Sequence, residues 1–275
     1  MRLLITLVAV SMIVSAPRAQ TPSTAGGQAH ALDQLLDLYV RGGDVYYRAL
    51  KSDRGKLDGF INGIANVEID KQPRAEQIAF WLNAYDAFVL RTVIDHYPIQ
   101  GKAAAYPAKS IRQIPGAFDQ ATHHAAGRAV TLDQIEQTIL AEFHDPRVYF
   151  AIGRGAVGSG RLRSEAFVGD RIEQQLAEAA AECTGRAQCS QIDRGAGKVS
   201  VSSIFSWREK DFVASYAEKA PAGLSSRSPI ERAVVAFILP NVLPMEKEML
   251  TANTFQLSYK PFDWTLNDLT GRGGR

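Results

Sequence analysis

Apolar residues recur at helical spacing along most of this chain. Leu32, Leu35, Leu36, Tyr39 and Val40 fall at i, i+3, i+4, i+7 and i+8, which predicts an amphipathic helix closed by Gly42-Gly43. Val45-Tyr46-Tyr47 reads as a short strand-like piece, and Leu57, Phe60, Ile61 and Ile64 form a second helical stripe. Pro73 opens the longest pattern, a helix over 74–96 closed by Pro98. Its middle, Ile78 to Leu90, is apolar all round, so it is expected to be buried on most sides. Asn83 and Asp86 lie inside that stretch and must find hydrogen-bond partners there.

Residues 99–125 lack periodicity and read as an irregular crossing segment. Thr131 to Gln134 spell a capping box for a helix running to Ala141. Asp145-Pro146 marks a turn, Val148 to Ile152 a buried strand, and a Gly-rich loop follows. Further on the pattern predicts a helix over 170–182, a strand over 198–202, a helix from a Ser203 cap through Phe212, a helix from Ser228-Pro229 to Pro240, and a strand over 255–259. No internal repeat and no linker divides residues 30–270. The expected fold is one α+β domain, mostly helical around a small β-sheet, with 271–275 as a disordered tail.

Residues 1–29 break this picture. Met1-Arg2, an apolar run from Leu3 to Val14 and then Ser15-Ala16-Pro17-Arg18-Ala19 have the layout of a secretory signal. The run is too short to span a bilayer, which takes about 20 apolar residues. Residues 1–19 are therefore expected to be a signal peptide cut after Ala19, and 20–29 a flexible leader. No cysteine follows the apolar core to carry a lipid, so the product is expected to be exported and soluble, periplasmic or secreted, with no membrane anchor after cleavage. Removing Arg2 and Arg18 takes the 31 basic side chains to 29, against 29 acidic. A balance near zero gives no basis for nucleic-acid binding, which relies on clustered cations. The two cysteines, Cys183 and Cys189, bracket a Gly turn and in an oxidising compartment pair as a local disulfide.

Chemistry is sparse. Gly153-Arg154-Gly155-Ala156-Val157-Gly158 after an apolar run spells the dinucleotide fingerprint of an oxidoreductase. No apolar helix follows it, however, and the strand near Val199 lacks a terminal acid for a ribose, so no cofactor is assigned. Backbone amides there, with Arg154, Arg161 and Arg163, could hold an anion, although acids such as Glu165 and Asp170 are ready ion-pair partners. His123-His124 lacks the spacing of helical metal ligands, and no metal site is assigned. Ser159 lies in Gly158-Ser159-Gly160 without the full nucleophile elbow and without an evident base.

Taken together, several strings do match a family. Phe80-Trp81-Leu82-Asn83-Ala84-Tyr85-Asp86, Leu132-Asp133-Gln134-Ile135-Glu136-Gln137, Asp145 to Ala151, Leu162 to Phe167, Ser203 to Trp207 and Phe262-Asp263-Trp264-Thr265-Leu266-Asn267 follow in order. From Asp44 to Asn267 the chain resembles the family catalogued as domain of unknown function 547. The resemblance implies a His where this chain has Gln137, a Cys-Pro pair where it has Ser159-Gly160, often a further Cys within 153–155, and an Asn at Asp86. A recurrent His and Cys imply thiol chemistry of the cysteine-hydrolase kind. With both replaced, the expected function is a non-catalytic binding or accessory protein on a degenerate site, a pseudoenzyme with an unidentified protein or small-molecule partner. Asn83, Gln137, Arg161, Trp264 and Asn267 are its candidate binding residues. The alternative is a hydrolase or transferase using Ser159 or an Asp86/Asp263 pair.

Overall fold

A computed structural model describes residues 24–270. The signal peptide expected over 1–19 and the tail over 271–275 lie outside the described residues. Helix α1 (Thr24–Tyr39) starts earlier than its stripe predicts and takes in residues 24–29, so this part of the expected leader is helical. Gly42-Gly43, both at positive φ, then turn a hairpin of β1 (Val40–Arg41) and β2 (Asp44–Val45). Tyr47, read as strand, instead opens α2 (Tyr47–Ser52). Next come α3 (Gly55–Ile64) and α4 (Arg74–His96), the latter with the bounds its pattern predicts.

Helix α4 is the axle of the molecule. Its residues from Ile78 to Leu90 are all buried, and α1, α2, α3 and later elements pack around it. The polar groups inside it are spent on ties. Asn83 donates from Nδ2 to the Phe167 carbonyl and accepts the Phe167 amide, both at 2.8 Å. One turn on, Asp86 Oδ1 accepts the Gly153 amide at 2.8 Å, and the Tyr85 hydroxyl donates to Glu136 at 3.1 Å. Three segments, at Phe167, Gly153 and Glu136, thus hang from α4, each by a bond a buried polar group requires.

After the crossing segment, β3 (His123–Ala125) and β4 (Arg128–Val130) form a hairpin. The capping box closes as predicted on α5 (Leu132–Gln134). Its continuation differs: residues Ile135–Ile139 form a π-turn, with the Leu140 amide bonded to the Ile135 carbonyl at 2.8 Å. Residues Val148–Ala151 are a buried helix, α6, not the expected strand. Five apolar residues between turn signals fit either state, and here burial is legible in the sequence while the period is not. α7 (Ile172–Gly185) ends at the Cys183–Cys189 disulfide, which leads into the sheet.

That sheet has β6 (Lys198–Ser202) at its centre, antiparallel to β5 (Ser190–Asp193) and parallel to β7 (Gln256–Lys260). Between β6 and β7 run α8 (Ile204–Trp207), α9 (Glu209–Tyr216), α10 (Pro229–Ile238) and α11 (Pro244–Thr251). The single helix expected from Ser203 to Phe212 is broken at Arg208. Ser203 does not cap it; its hydroxyl donates to the Lys260 carbonyl, and Ser202 Oγ accepts the Ile204 amide instead.

Beyond β7, residues 261–269 form a strap. Gly158 and Val157 donate their amides to the Asp263 and Thr265 carbonyls, both at 2.9 Å, and Leu266 bridges Ala156. Asn267 accepts the Tyr47 hydroxyl at 2.7 Å and donates to the Gly43 carbonyl at 2.8 Å. The strap joins the Gly-rich loop to the β1–β2 hairpin. Among the described residues, no helix is long and apolar enough to cross a membrane.

Candidate functional site

The π-turn gives the site its floor. It buries Ile135 and Glu136 in succession and leaves Gln137 exposed. One extra residue in a helical turn re-aims the side chains that follow it, and such turns recur at functional sites. Glu136 meets Arg154 from the Gly-rich loop in a two-point ion pair: Arg154 Nη2 to Oε1 at 2.6 Å and Nε to Oε2 at 3.0 Å. Side-chain exposures of 2% for Arg154 and 12% for Glu136 make this a buried pair. Burial alone would raise the Glu136 carboxyl. The Arg154 charge and hydrogen bonds, with Arg208 and Tyr85, outweigh it and hold the group below the usual glutamate value.

Above this floor lies a cleft of about 390 Å³. Tyr106, Arg112 and Phe118 come from the crossing segment, Asp133, Glu136 and Gln137 from α5 and its π-turn, Arg154 from the Gly-rich loop, Trp207 and Arg208 from the α8–α9 break, and Trp264 from the strap. Trp207 is 48% exposed and stacks on Trp264 with centroids 6.2 Å apart and planes 20° off parallel. A second depression shares Gln137, Trp207 and Arg208 with the cleft. Arg208 is engaged: its guanidinium lies 4.0 Å from the Tyr149 ring centre, donates to the Glu136 carbonyl at 3.0 Å and to the Tyr149 hydroxyl, and pairs with Asp211.

Of the residues singled out in the sequence, Gln137 and Trp264 meet in this cleft, although 127 positions apart in numbering. The others stand elsewhere. Asn83 and Asn267 are the structural ties described above. Arg161 pairs with Glu182 in a separate groove near Gly42-Gly43, and Arg163 pairs with Glu165 and Glu178. Ser159 is buried, does not line the cleft, and accepts the Arg154 amide on its hydroxyl oxygen at 3.0 Å. Asp86 is buried beneath Gly153, and burial raises its carboxyl to about 8 against the pull of the Gly153 amide and Arg154. Asp263 is exposed and caps the Thr265 amide at 2.9 Å. No hydrogen bond joins Ser159, Asp86 and Asp263 to one another among the described residues.

The dinucleotide reading loses its setting. A helix, α6, precedes the glycines, and the parallel pair of the sheet, β6 with β7, does not include this segment. The protein's own backbone takes up the close approach that a pyrophosphate would need. A Cβ at Gly158 would stand 2.7 Å from the Asp263 amide nitrogen, and one at Gly160 1.9 Å from the Phe150 carbonyl oxygen. His123 stacks on Phe88 at 4.4 Å, and burial holds its imidazole down to about 4. Among the described residues no three His, Cys, Asp or Glu side chains converge to hold a metal.

Arg112, Phe118, Trp207 and Arg208 were not singled out as binding residues in the sequence. Arg112 and Phe118 sit in an aperiodic segment, where pattern carries no information. Trp207 and Arg208 sit at a helix break that only the tertiary packing sets.

Neither the curated proteins nor the solved structures give a significant match to this chain. A family model does match, over less of the chain than the strings quoted above: those at 203–207 and 262–267 fall outside it. Residues 69–182, which supply Arg112, Asp133, Glu136, Gln137 and Arg154 to the cleft, match the model described as "Protein of unknown function, DUF547", and over that stretch the chain resembles that family.

Proposed function

We propose that this chain is an exported, soluble protein that binds a small molecule in the Trp207–Trp264 cleft and carries out no hydrolysis of its own. The observation that carries this reading is the placement of Ser159. Its hydroxyl oxygen is buried and occupied by the Arg154 amide, while Gln137, at the cleft, cannot take up a proton at any working pH. A serine without a base and without access to the cleft is a poor nucleophile. The cleft itself has the makings of a ligand site: aromatic walls, a few fixed polar groups, and a floor rigidified by a buried ion pair. Export rests on the layout of residues 1–19, and the Cys183–Cys189 disulfide suits an oxidising compartment.

Native mass spectrometry of the protein purified gently from its own host tests the reading. A stoichiometric small molecule is expected on the wild type and on Ser159→Ala, and none on Trp264→Ala. A bare chain that turns over ester or amide substrates, and stops doing so as Ser159→Ala, overturns it.

One observation favours a catalytic reading on other residues. Asp133 and Glu136 line the same cleft with their acidities driven apart: burial, then Glu136, raises Asp133, whereas Arg154 holds Glu136 down. On that reading any turnover vanishes with Asp133→Asn and survives Ser159→Ala.

A further inference from the structure

Among the described residues of the cleft, one cation has no hydrogen-bond or ion-pair partner for its side chain. Arg154 is spent on Glu136, and Arg208 on Asp211, the Glu136 carbonyl and Tyr149. Arg112 is different. Its guanidinium carbon lies 4.2 Å from the centre of the Phe118 ring and 4.3 Å from that of Trp264. Those two rings meet at 74°, so the guanidinium sits in an aromatic corner. Its Nε is buried with no acceptor, and its side chain donates no hydrogen bond and joins no ion pair among the described residues. Asp133 feels its charge but stands outside ion-pairing reach. The corner fixes the guanidinium by cation–π contact and leaves its planar donor edge unused at a cleft wall.

The rest of the cleft narrows what would satisfy that edge. Trp207 leans on Phe262 at 4.9 Å and on Trp264, so the indole is braced by two rings while nearly half of it faces solvent. A braced, exposed indole is a platform for a flat ring and loses little side-chain freedom on binding. The volume, about 390 Å³, is near the lower end for ligand pockets, on the order of 300–1,000 Å³, and suits one ring with a short appendage. Asp133 and Glu136 on the same walls oppose a second negative charge.

Building on the binding role proposed above, we propose that the cleft takes a small monoanion in which a carboxylate is attached to a single ring, the carboxylate paired with Arg112 and the ring laid on Trp207. An aromatic acid and a uronic acid share this chemistry.

Tryptophan fluorescence titration of the full chain separates the outcomes. Benzoate and galacturonate serve as the two ring carboxylates, benzyl alcohol and galactose as their uncharged counterparts, and acetate and inorganic phosphate as anions without a ring. At least one ring carboxylate is expected to saturate, at least tenfold more tightly than its uncharged counterpart, acetate or phosphate; which of the two saturates identifies the source. Arg112→Gln is expected to abolish the preference for the charged form, Arg112→Lys to keep part of it, and Trp207→Ala to weaken acid and neutral ring alike by tenfold or more. Circular dichroism of each variant verifies folding. The proposal fails if neither ring carboxylate saturates, if acetate or phosphate binds as tightly, or if Arg112→Gln leaves affinity unchanged. A neutral ring that binds as tightly as its acid, and is lost in Trp264→Ala, removes the anion while leaving the cleft a binding site.

Discussion

Asp86 condenses the difference between what a residue type suggests and what its surroundings make of it. As an acid in a family-like motif it is a candidate for proton chemistry, yet it sits inside α4, where among the described residues the Gly153 amide is its hydrogen-bond partner. Burial raises its folded-state value to about 8 from an ordinary 3.8, so the folded protein holds a proton that the unfolded chain has lost. Stability is then greatest below the unfolded value and falls as pH climbs from about 4 to about 8, where the slope ends. Asp86→Asn keeps an oxygen for Gly153 and has no proton to lose. We expect this variant to show a flatter urea midpoint between pH 5 and 8 than the wild type, and to be the more stable protein at pH 8. Parallel profiles for the two proteins would contradict this. The sequence made it legible that Asn83 and Asp86 needed partners; that the partners would be the backbones of 167 and 153 was not, because a side chain's need does not name the segment that meets it.

At the scale of elements, the helices with strong periods were readable and the short apolar runs were not. The bounds of α4 follow from Pro73, its apolar surface and Pro98, whereas α6 and the α8–α9 break depend on contacts made across the fold. The Gly-rich loop is the sharpest case: its glycines serve chain-on-chain packing, Gly153 against Leu162, Gly155 at positive φ against Val89 and Val93 of α4, Gly158 against the strap, and the neighbouring Gly160 against Phe150 of α6. Gly160→Ala is therefore expected to destabilise the protein by about 1–3 kcal/mol, because its methyl meets the fixed Phe150 carbonyl. A chemical-denaturation midpoint equal to the wild type's would mean the loop shifts freely. The buried pair beneath the cleft gives a second check. Arg154→Met leaves Glu136 buried without its cation, at a cost of about 3–5 kcal/mol, and the joint replacement Arg154→Met with Glu136→Leu should recover much of it. Loss in the double variant as large as in the single one would show that the pair does more than neutralise itself.

Across the whole molecule, the cleft exists only because a strap after β7 brings Trp264 back to the α5 π-turn, and the strap is tied to the Gly-rich loop through Asp263 and Thr265 and to Tyr47 and the β1–β2 hairpin through Asn267. This part was legible in outline only: Trp264 and Gln137 could be singled out by motif, but no local pattern places residue 264 beside residue 137. Asn267→Ala tests whether the strap acts as one unit. The change strands the buried Tyr47 hydroxyl and the Gly43 carbonyl, each costing about 1–3 kcal/mol if left unpaired. If the strap moves as one piece, the amides of Val45, Val157, Gly158 and Leu269, which bond along it or to it, should lose hydrogen-exchange protection together, while the Phe167 amide held by Asn83 keeps its own. Asn83→Ala should show the reverse. Trp264 emission should shift toward that of an exposed indole in the first variant alone, since the strap carries it. Exchange that accelerates only at Val45 would mean the strap is anchored independently at the Gly-rich loop, and the cleft would then survive without Asn267.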